Sequence, residues 1–285
     1  MPGISIVTDS ACDLPQASAV EHNIEIVPLS IRFGETEYVD RRDLTAKEFW
    51  VKTAESKLLP ETAAPSPGAF EEAFRKAATQ GASGVVCVCL SSGLSATYQS
   101  AQLAAEAVKD TIPVRVIDSR SVTIAQGLLA IAAAEAAAAG KSLDEVAAVV
   151  DGKIKHMRVF AALDTLENLK KGGRIGSARA LLGSMLSVKP LIQVVDGEVG
   201  EEGKQRTRGR ALAHLIELAK EHGAANAKPL AVMHGDAPDI DQFVDDLCAA
   251  LGRTRDGILV GDVGSVVGTH AGPRVIGLAW EEASA

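Results

Sequence analysis

Aromatic side chains are scarce: Phe, Trp and Tyr make up 4% of the 285 residues. Base-stacking platforms need several such rings along one groove, so a single-strand nucleic-acid binder is excluded. Basic charge is also short. Lys and Arg total 29 against 37 Asp and Glu, a net charge of −8, which leaves no basic sheath for a duplex. No nucleic-acid partner is expected. Only four cysteines occur, Cys12, Cys87, Cys89 and Cys248, without a CxxC pair or a matching histidine spacing. Disulfide and zinc frameworks are out, no metal is expected, and the chain reads as reduced and cytoplasmic. Long apolar runs are missing too. The uncharged, Ala-rich stretch at residues 121–134 spans 14 residues and stops at Glu135, too short to cross a bilayer. Met1-Pro2-Gly3-Ile4-Ser5 lacks the basic start and apolar core of a signal peptide.

Signatures of nucleotide and acyl-transfer chemistry are absent as well. No GxxxxGK[ST] loop occurs, and Gly172-Gly173-Arg174-Ile175-Gly176 has the wrong spacing for a dinucleotide loop. Ser92-Gly93-Leu94-Ser95 is not a GxSxG elbow. His234-Gly235-Asp236 holds ligating residue types, but with no second cluster it reads as a turn after a strand.

What is present is an aliphatic, globular chain, 47% apolar and 23% charged. Its length suggests two domains, placed at 1–155 and 156–285. Nearly continuous β-branched runs at 4–8, 24–31, 85–90 and 114–117 fit buried parallel strands. Helical spacing at 45–54, 66–79, 94–108 and 122–139 alternates with them, the pattern of a layered α/β sheet. Ser66-Pro67 supplies a cap and a first-turn proline. In the second half, strands are expected at 159–163, 189–195, 230–233, 258–260 and 275–279. A polar strand-like piece should follow Asp196-Gly197, with helices at 166–187, 211–221 and 240–251.

Four features carry chemistry. Asp9-Ser10 and Asp118-Ser119 fall where strands end, the edge at which open parallel sheets bind ligands; the same residue types also cap turns, and both readings stand. Two basic clusters interrupt an acidic chain: Lys170, Lys171, Arg174 and Arg179, then Lys204, Arg206, Arg208 and Arg210. They suit an anionic headgroup or an acidic partner. The plainer alternative is a solvated helix face. Gly172-Gly173 argues against it at Arg174, because paired glycines in a helix cost stability without a backbone reason. Finally, the hydroxyl-rich Ser91-Ser92-Gly93-Leu94-Ser95-Ala96-Thr97 precedes a helix, a place suited to anions. Val267-Gly268-Thr269-His270-Ala271-Gly272-Pro273 reads as a glycine-punctuated turn presenting one histidine.

Taken in order, several stretches make a pattern: Thr8-Asp9-Ser10 with Asp13-Leu14, Val27-Pro28-Leu29, Tyr38-Val39-Asp40, and residues 91–100. Val116-Ile117-Asp118-Ser119, Gly172-Gly173-Arg174-Ile175, Lys189-Pro190, Arg206-Thr207 and Gly268-Thr269-His270 continue it. The chain resembles the DegV family, bacterial fatty-acid-binding proteins of the FakB type that serve as acyl carriers for fatty acid kinase. The resemblance implies a two-domain α/β fold, an N-terminal layered parallel sheet plus a C-terminal α/β domain, with one long-chain fatty acid between them. It implies a lipid-binding carrier rather than an enzyme, with no cofactor beyond that ligand. Thr62, Ser95, Arg174 and His270 would gather around the carboxylate. A partner fatty acid kinase, docked through Arg206, would convert the carboxylate to an acyl-phosphate for phospholipid synthesis, with transient membrane contact. A nearby carboxylate should then raise the proton affinity of His270.

This chain departs from the family pattern at Ala63, Ala64 and Arg274. The first two replace side chains that would hydrogen-bond behind Thr62, and the third places bulk and charge where a small residue is usual. The competing readings are a small-molecule phosphotransfer enzyme using Asp9, Asp118 and the basic clusters, and a lipid-sensing regulatory protein.

Overall fold

The computed structural model describes residues 3–181 and 188–283. The first half runs β1 (Ile4–Asp9), α1 (Gln16–Glu21), β2 (Ile24–Val27), β3 (Ser30–Phe33), β4 (Thr36–Val39) and α2 (Ala46–Glu55). Then come β5 (Glu61–Ala63), α3 (Pro67–Thr79), β6 (Gly84–Cys89), α4 (Thr97–Ala107), β7 (Val114–Asp118), α5 (Ile124–Ala138) and α6 (Leu143–Ile154). The second half runs β8 (Met157–Ala162), α7 (Glu167–Lys171), β9 (Lys189–Val195), β10 (Glu198–Gln205) and α8 (Arg208–Glu221). It ends with β11 (Leu230–His234), α9 (Ile240–Leu251), β12 (Ile258–Asp262), α10 (Ser265–Ala271) and β13 (Ile276–Glu281).

The uninterrupted apolar strands make a four-stranded parallel sheet, ordered β2-β1-β6-β7. Every residue of β6 is buried, as expected when helices cover both faces. The second sheet has six strands, ordered β10-β9-β8-β13-β11-β12, and only β11 and β12 run parallel. This is the two-sheet α/β fold that the sequence implied.

Alternation along the second sheet separates two interiors. Phe160 and Ala162 of β8, with Ile276 and Leu278 of β13, face a core closed by α8 and α9. Val159 and Leu163, with Val275 and Ala279, face the opposite core, which is shared with α5 and the first sheet. Eleven residues of α5 are buried, Gln126 among them. Truncating a fully buried leucine such as Leu129 costs about 2–5 kcal/mol.

Three expectations need correction. The run 24–31 is two strands, because Pro28 offers no N–H to a ladder and Leu29 N donates to Ser10 Oγ at 3.0 Å instead. β3 leaves for a small antiparallel sheet ordered β4-β3-β5. The stretch 166–187 is not one helix. α7 stops at Lys171, Gly173 adopts φ +72°, and a 3-10 turn covers Gly176–Leu181; residues 182–187 lie outside the described residues. The third is the expected turn at 267–273, which holds most of α10. Gly268 belongs inside that helix because the rings of Phe49 and Trp50 occupy the space of its side chain. A Cβ there would lie 2.8 Å from each.

Candidate functional site

A cavity of about 210 Å³ lies between the parallel-sheet half and the open face of the six-stranded sheet. Its floor is aliphatic: Val159 and Ala161 of β8, Ile192 and Val194 of β9, Gly277 and Ala279 of β13. Ala161 stands opposite Gly277, and Ala279 opposite Val159, so small residues leave a lane where larger ones would fill the sheet surface.

Thr62, Ser95, Arg174 and His270 all line this cavity, although they come from four distant parts of the chain. β5 presents Thr62, whose Oγ1 lies 2.9 Å from His270 Nε2. Ser95 precedes α4 and lies 2.9 Å, oxygen to oxygen, from Thr97 Oγ1, and the Thr97 N–H donates to Ser95 Oγ at 3.3 Å. Part of the anion-binding capacity expected at this helix start is thus already engaged. Arg174 follows the double glycine and is fixed by two backbone carbonyls. Its Nε donates to Leu94 O at 3.1 Å and its Nη1 to Gly172 O at 2.6 Å. Such a guanidinium is ordered before any ligand arrives, which lowers the entropy cost of using it.

The two glycines have separate reasons. Gly173 supplies the positive φ that turns the chain out of α7. Gly172 makes room for His270: a Cβ there would lie 2.9 Å from Cε1 of the imidazole and closer still to Nδ1. His270 Nδ1 is buried and has no hydrogen-bond partner.

Burial, and secondarily the Arg174 guanidinium, push the His270 pKa down to about 4. In the protein's own surroundings His270 is therefore a weak base, and a bound carboxylate would act on it in the opposite direction. Among the described residues, Arg174 is the one charged side chain lining the cavity.

Other expected residues sit elsewhere. Asp9 is fully buried and accepts from the N–H groups of Ala11 at 3.0 Å and Leu90 at 2.8 Å. Desolvation raises its pKa to about 6. Asp118 accepts from Ser92 Oγ at 2.5 Å and from the N–H groups of Ser92 and Arg120. Neither lines the cavity; both brace the loop that delivers Ser95. Lys170, Lys171 and Arg179 are exposed, and only Arg174 of that cluster turns inward. In the second cluster Arg208 is spent on Asp239, donating at 2.6 and 2.7 Å. Lys204, Arg206 and Arg210 are exposed, with no ion pair among the described residues.

Of the departures, Ala64 lines the cavity and Ala63 is exposed. Arg274 points away, at 3.6 Å from Asp164, and does not line it. Sequence reasoning missed Thr123, which lines the cavity from the start of α5 with φ +54°. A β-branched residue in that region stores about 1–3 kcal/mol of strain, and its Oγ1 is anchored to Asp13 Oδ2 at 2.6 Å. Nothing in the local sequence announces it.

Among the described residues no group of His, Cys, Asp and Glu is placed to hold a metal, and no helix is long and apolar enough to cross a membrane. Fold and site together define a two-sheet α/β protein enclosing an apolar cavity with one small polar cluster in its wall. The chain belongs to the DegV family: the model of the family described as "Uncharacterised protein, DegV family" matches residues 3–283. A DegV domain-containing protein of Streptomyces coelicolor is 34% identical over 281 residues, 96% of this chain and 97% of the relative. A fatty-acid-binding DegV family protein from Thermus thermophilus superposes with a TM-score of 0.88 at 29% identity, covering 99% of this chain and all of that one. A stearic-acid-binding protein from Eubacterium ventriosum gives 0.89 at 31% identity, covering 98% of each chain.

Proposed function

We propose that the protein binds one long-chain fatty acid in this cavity and presents it to a fatty acid kinase for conversion to an acyl-phosphate. The observation that carries the reading is the meeting of Thr62, Ser95, Arg174 and His270 on the wall of an aliphatic cavity. A carboxylate removed from water is costly unless donors and a countercharge receive it. Here two hydroxyls and an imidazole supply donors, and Arg174 supplies a positive charge to match the negative one. The acyl chain follows the lane past Ala161 and Gly277. At ~0.8 kcal/mol per methylene, a 16-carbon tail gains roughly 10 kcal/mol before association costs.

The similar proteins described as fatty-acid binders support the ligand class. The carrier role, rather than catalysis by this chain, is supported by Asp9 and Asp118, whose oxygens are occupied by backbone and hydroxyl donors away from the cavity. The exposed Arg206 is the proposed contact for the kinase.

Mass spectrometry of organic extracts of the purified protein tests the ligand. One fatty acid per chain is expected. An extract without fatty acid, together with failure of palmitate to bind the delipidated protein, overturns the reading. Incubation of loaded protein with a fatty acid kinase and ATP tests the second half, with acyl-phosphate as the product sought.

A further inference from the structure

Asp13 and Asp40, both in motif stretches, take no part in the cavity wall, yet they are only 7% and 3% exposed. Each has a partner on the segment that carries His270. The Gly264 N–H donates to Asp13 Oδ1 at 3.0 Å, and the Ser265 hydroxyl donates to Asp40 Oδ1. Gly264 immediately precedes α10, and Ser265 is its first residue. A Cβ at 264 would lie 2.7 Å from Asp13 Oδ1, so glycine lets the carboxylate reach the backbone there. Through its other oxygen Asp13 also holds the cavity residue Thr123.

A helix of seven residues is too short to be stable alone, so its direction is set by its anchors. At the far end Asn168 Nδ2 donates to Thr269 O at 3.1 Å; at the near end the anchors are the two carboxylates. From Ser265 to His270 the axis rises about 7.5 Å, so a tilt of ~10° moves the ring by about 1 Å.

We propose that Asp13 and Asp40 are positioning residues that aim His270 into the cavity by gripping the N-terminal end of α10. What His270 is aimed at rests on the fatty-acid reading above; the grip itself does not. Neither carboxylate touches the ligand.

The test compares palmitate with 1-hexadecanol, which keeps the tail and lacks the charge. Asp13→Ala and Asp40→Ala are expected to weaken palmitate binding about tenfold, the loss of one hydrogen bond to a charged group, while leaving the alcohol unaffected. Asp13→Asn keeps an acceptor for Gly264 and should bind palmitate like the wild type. In a His270→Ala background, Asp13→Ala should add nothing. Equal losses for both ligands, or full additivity with His270→Ala, overturn the proposal. If either alanine variant fails to fold, Ser265→Ala, which removes only the hydroxyl held by Asp40, carries the same comparison. A ligand-free readout separates the two ideas. The ring resonances of His270 should shift in Asp13→Ala and stay put in Asp262→Ala, a carboxylate paired instead with His234. An unmoved ring in Asp13→Ala overturns the grip. Failure of palmitate to bind the wild type overturns the function and leaves the ring test standing.

Discussion

Replacing Gly172 by alanine separates the needs of the helix from those of the site. Gly172 has φ −74° and ψ −8°, ordinary helical values, so alanine is conformationally welcome and by itself stabilises by about 0.4–1 kcal/mol. The new methyl, however, would lie 2.9 Å from His270 Cε1 and 3.1 Å from Asn168 O. Overpacking of that kind costs about 1–3 kcal/mol. The net is a destabilisation of up to about 2.6 kcal/mol, with the imidazole displaced from Thr62 and from the ligand. Losing one donor to a carboxylate costs about 1.5–3 kcal/mol, or one to two decades in affinity. Urea denaturation and palmitate titration would follow both quantities in Gly172→Ala, His270→Ala and the double variant. Without the ring only the Asn168 carbonyl remains close to the methyl, at 3.1 Å, so Gly172→Ala should lose most of its destabilising effect in the His270→Ala background. An equal destabilisation in both backgrounds would refute the argument.

Other outcomes follow from the same geometry. Arg174→Ala should fold, by circular dichroism, and bind palmitate at least tenfold more weakly, because the carboxylate loses its countercharge; unchanged affinity would remove Arg174 from the site. Thr62→Val and Ser95→Ala should each weaken binding and combine non-additively in a double-mutant cycle, since both donate to one ligand. Arg206→Ala should leave palmitate affinity unchanged while slowing acyl-phosphate formation, the defect widening with salt as expected for an exposed charge. Burial raises the pKa of Asp13 to about 7 from an ordinary 3.8. The folded state therefore holds a proton that the unfolded chain releases above pH ~4, and stability present in acid is lost as pH climbs to 7. Asp13→Asn removes the cost of ionisation, so its melting temperature should exceed that of wild type at pH 8 and match it near pH 4 (chosen around the ordinary carboxylate value). An equal offset at both would count against a titrating Asp13.

Much of the scaffold was legible because its signals are local. The apolar strand β6 and the amphipathic helix α9 announce themselves over six and twelve residues, and the Ser66 cap works as read, accepting from Ala69 at 3.3 Å. What escaped depends on remote partners. The edges of the small sheet are three or four residues long, too short for a period to emerge. α10 looks like a turn until Phe49 and Trp50 are known to fill the side-chain space at Gly268. At the site, the double glycine demanded a reason, but that the reason was an imidazole 98 positions away was invisible. The grouping of Thr62, Ser95, Arg174 and His270 came from family resemblance, since no spacing relates them. The lowered proton affinity of His270 was not legible either, because its burial beside Arg174, unlike its neighbours in sequence, cannot be counted from the chain.

The contact between Thr62 and His270 spans 208 positions, and Trp50 Nε1 reaches Val263 O across 213. Such pairings close late, because the loop entropy of a long intervening chain must be spent before they reward it. A growing polypeptide therefore lacks the full polar cluster until His270 is made, and lacks one wall of the cavity until Gly277 and Ala279 of β13 follow. Thr62 and Ser95 belong to the first half and Arg174 and His270 to the second, so neither half alone carries the whole cluster. Any ligand held by this cavity acts as a seal on completed folding, adding stability by mass action to the native state alone.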